Sequence, residues 1–238
     1  VDFEEFDYHA FYDQLRKGIM PTTCALSPYD YINYFEPVFA NGDDILYVHF
    51  SAAMSGTFNA MNLAYEELKE KYPNRKISVV DTKSISIGEA LIVYEAALLW
   101  KNGATDEEVV KFVEDNRQNY TVYFTVKDLI QLKNSLKVLP EINSGEENGT
   151  LMKYGTAKGA KAALKALVSR VKEIGSQIFD HPIIITHADA EESADELKQM
   201  LISEFGDKLT IWTQQIGPTV GSHCGAGTVG IAFHSTKR

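Results

Sequence analysis

Short apolar runs rich in β-branched and aromatic residues alternate along the chain with longer stretches whose apolar residues recur at helical spacing. Strands that alternate with helices in this way are typical of a mixed or parallel sheet with helices packed on its faces. The pattern therefore predicts an α/β fold. It predicts six strands, at residues 45–50, 77–80, 121–126, 182–186, 209–216 and 228–233.

Four helices are predicted between these strands. Apolar residues at spacings of 3, 4 and 3 follow Gly56 and share one helix face: Phe58, Met61, Tyr65 and Leu68. Capping-box patterns, in which a Thr or Asp precedes a Glu by three residues, mark two helix starts: Thr105 with Glu108, and Asp189 with Glu192. The fourth helix follows Gly159, and four apolar residues share its buried face: Leu164, Leu167, Val168 and Val171.

The stretch from 134 to 159 has little regular period and combines Pro, Gly, Asn and Ser. Such composition is typical of loops and of boundaries between folded units. We therefore predict an N-terminal α/β domain over residues 1–133 and a C-terminal α/β domain over residues 134–238.

The net charge and the short length of the apolar runs argue against several classes of function. With 33 acidic and 23 basic residues among 238, the net charge is −10, which opposes binding to nucleic acids and to anionic lipid surfaces. The longest apolar runs are far too short to cross a bilayer, so we expect a cytoplasmic protein without stable membrane insertion. The acidic stretches 2–7 and 145–149 do not match the spacing of a calcium loop, and no metal site is predicted.

The first candidate motif is SAAMSGTF at residues 51–58, which lies between a predicted strand and a predicted helix. Ligands of α/β proteins sit at such places, and free backbone N–H groups at a helix start favour an anionic oxygen. Ser51, Ser55 and Thr57 add hydroxyl groups there. The alternative is that Ser55 and Thr57 only cap the helix. A serine nucleophile has little support, because the glycine that a nucleophile elbow requires two residues earlier is missing.

The second motif is PTTCALSP at residues 21–28. Ser27 followed by Pro28 is typical of a helix start, with Ser27 as the N-cap and Pro28 in the first turn. Thr22 and Thr23 have no such structural explanation, and they could donate hydrogen bonds to a ligand.

The third motif is TVGSHCGAGTVG at residues 219–230, where His223 lies among glycines. Glycines allow positive φ or close approach to another group. His223 could bind a carboxylate, act as a general base, or be a structural residue. Cys224, its neighbour in what we expect to be an extended loop, should point the other way. A pair of Cys24 and His223 across the fold leaves thiol catalysis open, and no clustered partners suggest a metal.

These three motifs, in this order, resemble those of the DegV family of bacterial fatty-acid-binding proteins, and the resemblance covers nearly the whole chain. The family's proline-threonine-threonine-serine loop is similar to PTTC, its serine-glycine-threonine helix start to MSGT, and its late glycine-histidine-glycine loop to GSHCGAG. Connecting segments also fit: ISVVDTKSISIG at 77–88, TVKDLIQLK at 125–133 and NSLKVLPEI at 134–142.

The resemblance implies a two-domain fold with a mixed or parallel sheet flanked by helices in each domain. It also implies a long-chain fatty acid held between the domains, as a ligand and without any cofactor. The implied carboxylate-binding residues are Thr23, Ser55 and His223, with Thr22, Gly56 and Ser222 as neighbours. In similar proteins a partner fatty acid kinase phosphorylates the bound acid, which makes this chain a carrier and not an enzyme. The rival hypothesis is an acyl hydrolase that uses Cys24 or Ser55 with His223.

Three departures from the family pattern are visible. The family opens with a strand and an aspartate-serine loop, which we expect to be missing here or to lie outside this sequence, since it begins at VDFEEFD. A glycine-glycine-arginine stretch expected after LIQLK is absent, either because a loop is deleted or because residues between Lys133 and Asn134 are unrepresented. The arginine that often lies near the ligand in similar proteins therefore cannot be placed here. Cys24 stands where the family carries serine, and a thiol is a poorer hydrogen-bond donor.

Overall fold

The computed structural model describes residues 6–126, 151 and 154–236 of the chain. Within this part there are eight α-helices: α1 (Tyr8–Arg16), α2 (Pro28–Ala40), α3 (Thr57–Lys71), α4 (Ile87–Lys101), α5 (Asp106–Asn116), α6 (Ala160–Ile174), α7 (Glu191–Phe205) and α8 (Pro218–Cys224). The strands are β1 (Ile45–His49), β2 (Ile77–Asp81), β3 (Tyr120–Thr125), β4 (Ile183–His187), β5 (Ile211–Gln215) and β6 (Val229–His234). All six predicted strands and all four predicted helices are present.

The strands form two sheets. In the first, β1 and β2 run parallel, from the pair Ile45 and Ile77 to the pair His49 and Asp81. The second has the order β3-β6-β4-β5, in which β6 is antiparallel to both neighbours and β4 is parallel to β5. The predicted α/β fold with mixed and parallel strands is therefore confirmed.

Helices and sheets alternate as layers because each strand presents apolar side chains to both sides. On β1, Tyr47 packs toward α2 and α3, whereas Val48 packs toward α4 and α5. On β4, Ile183 and Ile185 pack against α6 and α7, whereas Ile184 faces α4 and α5. The pair α4 and α5 thus lies between the two sheets, which explains why α4 is apolar around most of its circumference.

The predicted domain boundary after residue 133 lies outside the described residues. Strand β3, which precedes that position, pairs with β6 near the end of the chain along its full length. The second sheet is therefore built from segments on both sides of the predicted boundary, and the division into 1–133 and 134–238 stays a prediction.

The two predicted capping boxes had different outcomes. At α5 the prediction is confirmed, because the Glu108 N–H donates to Thr105 Oγ1 and the Thr105 N–H donates to the Glu108 carboxylate, at 3.2 and 2.8 Å. At α7 it is wrong. That helix begins at Glu191, and Asp189 has a left-handed φ of 51°. The Asp189 carboxylate instead pairs with the Arg16 guanidinium at 2.6 Å, so a distant partner replaces the helix cap.

Helix α1 is docked on the second sheet at the end where β4 and β5 finish. Arg16 reaches both the carboxylate and the backbone carbonyl of Asp189, which lies just beyond β4. Tyr12 is fully buried, and its hydroxyl donates to the carbonyl of Ile216, just beyond β5, at 2.7 Å. These contacts fix the start of the loop that leads from α1 to α2.

The first turn of α4 generates a prediction about pH. Burial raises the pKa of Glu89 from its ordinary value of 4.5 to about 7. Between these values the folded protein binds a proton that the unfolded chain releases, so the folded state loses stability as the pH rises from 4.5 through 7. Between pH 4.5 and pH 8, we predict that the free energy of unfolding of the parent protein falls by roughly 2 to 3 kcal/mol more than that of Glu89→Gln. The glutamine side chain does not titrate in this range. Urea unfolding of both proteins at the two pH values measures it, and parallel pH dependences would contradict the prediction.

Candidate functional site

The loop that carries Thr22 and Thr23 connects the two sheets. It begins at α1, which is docked on the second sheet, and it ends at α2, which packs on the first. Its end is fixed by the predicted helix start, because the Ser27 hydroxyl accepts from the Asp30 N–H and the Asp30 carboxylate accepts from the Ser27 N–H at 2.7 Å. Residues 21–26 are exposed between these two anchored ends.

His223 lies in a helix and not in the extended loop that we predicted. Proline in its first turn and a glycine at its C-terminal end delimit the short helix α8. Within residues 219–230, positive φ angles occur only after α8, at Gly225 and Gly227. Cys224 is also helical, so the directions of its side chain and of the His223 side chain differ by the rotation of one residue around the helix axis. Cys224 faces the buried cluster of α1 and α8, and His223 is partly exposed.

Gly221 sets the distance between α8 and α1. A Cβ atom at this position would lie 2.3 Å from the hydroxyl oxygen of Tyr12. Tyr12 is fully buried and hydrogen-bonded to Ile216, so it cannot move aside at low cost. The glycine thus permits a close approach that brings the end of α8 next to the loop leaving α1.

The structure brings Thr23 and His223 together. The Thr23 hydroxyl oxygen lies 3.0 Å from His223 Nε2, a hydrogen-bond distance between residues 200 positions apart in the sequence. Either atom can supply the proton, depending on the tautomer of the imidazole. Two of the three sequence motifs therefore meet at one point on the surface.

Ser55, in the remaining motif, is placed at the start of α3. A tight turn, closed by the Met54 N–H donating to the Ser51 carbonyl at 3.0 Å, follows β1. The Ser55 hydroxyl accepts from the Thr57 N–H at 3.2 Å, although the N-cap residue of α3 is Gly56 and not Ser55. That interaction uses a lone pair of the oxygen, and the O–H of Ser55 can still donate to a ligand.

The other predicted residues differ in what they can offer. Gly56 is exposed, and no atom lies within 4 Å of where its Cβ would be. Thr22 is exposed beside Thr23. The buried Ser222 hydroxyl donates to the Pro218 carbonyl at 2.7 Å, within its own helix. Thr57 is also buried, and its hydroxyl contacts Tyr31 rather than capping α3.

The two cysteines lie in contrasting surroundings. Burial raises the pKa of the Cys224 thiol to about 11, so it stays protonated and unreactive at neutral pH. Cys24 is exposed in the loop beside Thr23. His223 is hydrogen-bonded to Thr23, the residue that precedes this cysteine.

One group of side chains has ligands close enough for a metal ion within the described part of the chain: His9, Asp13 and Asp189. Arg16 already pairs with both carboxylates of this group, at 2.8 and 2.6 Å. A guanidinium thus supplies the positive charge there, and the group serves to dock α1.

Tyr12 is the residue of this region that the sequence did not indicate. Its role depends on a hydrogen bond across 204 positions to Ile216 and on the space left by Gly221. A tyrosine in an amphipathic helix carries no local signal of such a partner. The sequence shows Gly221 in GSHCGAG, but it does not show that Tyr12 contacts this glycine.

Comparison with known proteins agrees with the family resemblance of the sequence. A profile of the uncharacterised proteins of the DegV family matches residues 1–236. The chain belongs to the DegV family. A DegV domain-containing protein of Clostridium perfringens, CPE0026, is 36% identical over 239 residues, which cover 94% of this chain and 81% of that protein.

Solved DegV structures share the fold. The Thermotoga maritima protein TM841, described as revealing a fatty acid binding function, is 27% identical with a TM-score of 0.79, covering 96% of this chain and 83% of that one. The Streptococcus pneumoniae fatty acid kinase B3 protein, loaded with linoleic acid, is 20% identical with a TM-score of 0.82, covering 99% and 86%. None of the helices in the described part of this DegV protein is long and apolar enough to span a bilayer.

We predict that the close contact between Tyr12 and Gly221 stabilises the fold by packing α1 against α8. Gly221→Ala should lower the free energy of unfolding by about 1 to 3 kcal/mol, because the new methyl group overlaps a tyrosine that cannot move. Tyr12→Phe should cost about 1 to 2 kcal/mol through the lost hydrogen bond. Chemical denaturation measures both. Gly155→Ala is the matched control, because an added Cβ there meets no atom within 4 Å. Equal stability of the Gly221 and Gly155 variants would contradict the prediction.

Proposed function

We propose that this DegV protein binds a long-chain fatty acid with its carboxylate held by Thr23, Ser55 and His223. The observation that carries the proposal is the 3.0 Å contact between Thr23 and His223, which joins two sequence motifs at one point. Two solved relatives support the class of ligand, one described as revealing a fatty acid binding function and one loaded with linoleic acid. Thr22, Gly56 and Ser222 are the proposed neighbours of the head group.

Hydrogen-bond chemistry supports the choice of residues. A carboxylate removed from water needs several donors, and each hydrogen bond to a charged group contributes about 1.5 to 3 kcal/mol. Thr23 and Ser55 can each turn a hydroxyl toward the ligand, and the imidazole N–H of His223 is the third donor. In the structure the Thr23 hydroxyl and His223 Nε2 are bonded to each other. Ligand binding would exchange this bond for bonds to the two carboxylate oxygens.

The two parts of the ligand have separate roles in this proposal. The acyl tail supplies most of the affinity, because each buried methylene contributes about 0.8 kcal/mol. The polar loops fix where the carboxylate lies. Helix α3 adds to this, since free backbone N–H groups in its first turn favour an anionic oxygen near Ser55. The backbone at Gly56 is open to a ligand, with no side chain in the way.

We further propose that the protein is a carrier that presents the carboxylate to a partner fatty acid kinase in the cytoplasm. The Streptococcus pneumoniae relative named as a fatty acid kinase B protein supports this role. The exposed position of the Thr23 loop is also consistent with it, because a carboxylate bound there would lie near the surface. The rival role, an acyl hydrolase, needs Cys24 or Ser55 activated by His223. The contacts of His223 with Thr23 and of Ser55 with Thr57 favour the carrier.

We predict that Thr23→Val, Ser55→Ala and His223→Ala each weaken fatty-acid binding while the fold is kept. Each removes one donor from a desolvated carboxylate, so the expected loss is about 1 to 3 kcal/mol, or roughly 5-fold to 150-fold in Kd. Calorimetric titration with hexadecanoic acid measures the change in Kd. Circular dichroism monitors folding.

Ser203→Ala is the matched control for this series. Ser203 is an exposed serine of α7, on the outer side of the second sheet. Its variant should bind with the Kd of the parent protein. Parent-like affinity in all three head-group variants would refute the assignment.

A further inference from the structure

His49 is a buried histidine that the proposed carboxylate site does not use. It is the last residue of β1 and only 1% exposed. Aromatic rings surround its imidazole: Phe50 is stacked on it at 4.4 Å, Phe58 meets it edge-on at 4.8 Å, and Tyr47 at 5.4 Å between ring centroids. Because this polar ring is enclosed by aromatic side chains, the hydrogen-bond partner of each of its nitrogens has to be identified.

The two ring nitrogens have different roles. Nδ1 contacts the carbonyl oxygen of Phe50, and since a carbonyl only accepts hydrogen bonds, Nδ1 must carry a proton. Burial lowers the pKa of His49, which keeps the ring neutral. In a neutral imidazole with Nδ1 protonated, Nε2 has a bare lone pair and acts as an acceptor.

Nε2 of His49 is buried and has no hydrogen-bond partner among the described residues. Buried polar atoms in folded proteins are nearly always paired, and an exception points to a missing partner. The partner that fits an acceptor is a donor, such as a hydroxyl group. A carboxylate does not fit, because it offers only acceptors at neutral pH.

A chain of contacts connects His49 to the proposed head-group site. Ser55 accepts from the Thr57 N–H, and the Thr57 hydroxyl lies 3.2 Å from the Tyr31 hydroxyl. The Tyr31 hydroxyl lies 2.9 Å from that of Tyr47, whose ring contacts His49. The turn that follows β1 also folds the chain back between His49 and Ser55. His49 and Ser55 therefore lie on either side of the turn that follows β1, and they are linked through Tyr47, Tyr31 and Thr57.

We propose that His49 Nε2 accepts a hydrogen bond from a hydroxyl group on the acyl chain, at a carbon close to the carboxyl end. The ligand class is then a hydroxylated long-chain acid, bound with its carboxylate at Thr23, Ser55 and His223. This inference rests on the proposed fatty-acid function and adds a specificity residue to it.

The test compares two acids of equal length, 3-hydroxyhexadecanoic acid and hexadecanoic acid, by calorimetric titration. The parent protein should bind the hydroxy acid at least 5-fold more tightly. His49→Asn keeps a donor near the position of Nδ1 but lacks Nε2, and it should abolish this preference. His49→Gln offers a polar group near the position of Nε2 and should retain part of it. Ser55→Ala should weaken both acids equally and leave their ratio unchanged.

The outcomes separate this inference from the function on which it rests. If the parent protein binds both acids with equal affinity, the assignment of His49 is overturned while fatty-acid binding stands. That result is also expected if Nε2 binds a water molecule. If the preference persists in His49→Asn, the hydroxyl is recognised elsewhere and the inference fails. If neither acid binds, the proposed function itself fails. If the variants do not fold, equal affinity of the parent protein for the two acids still overturns the assignment of His49.

Discussion

The candidate site depends on the contact between α1 and α8, where Tyr12 packs against Gly221. This contact is close because the glycine has no side chain, and it is held in place because the tyrosine hydroxyl is bonded to the Ile216 carbonyl. Thr23 follows α1 after a short loop, and His223 follows Gly221 by two residues. One buried contact thus determines whether two residues 200 positions apart meet at 3.0 Å.

A second constraint is electrostatic. The protein has a net charge of −10, yet the proposed ligand is an anion. Hydroxyl groups, an imidazole and the start of α3 can hold a carboxylate through dipoles, without a buried cation whose desolvation would be costly. In this proposal the carboxylate is held by the dipoles of local donors and not by an ion pair.

Much of the fold could be predicted from local pattern, and the site only in part. The six strands and the capping box at Thr105 follow from side-chain periodicity and from interactions three residues apart. The failures have a common cause in distant contacts. Asp189 pairs with Arg16 and does not cap α7. Residues 218–224 form the helix α8 and not an extended loop, and Gly221 in this helix leaves room for Tyr12. Motif order identified the family, but the partner of each motif residue required the folded chain.

The role that we propose for this protein is that of a fatty-acid carrier that does not hydrolyse acyl bonds. The most direct measurement is mass spectrometry of an organic extract of the purified protein, together with an assay of acyl thioester cleavage before and after alkylation of Cys24. If the protein is a carrier, the extract should contain free long-chain fatty acid in a near-equimolar amount, and no thioester should be cleaved. A lipid-free protein that cleaves thioesters and is inactivated by alkylation would contradict it.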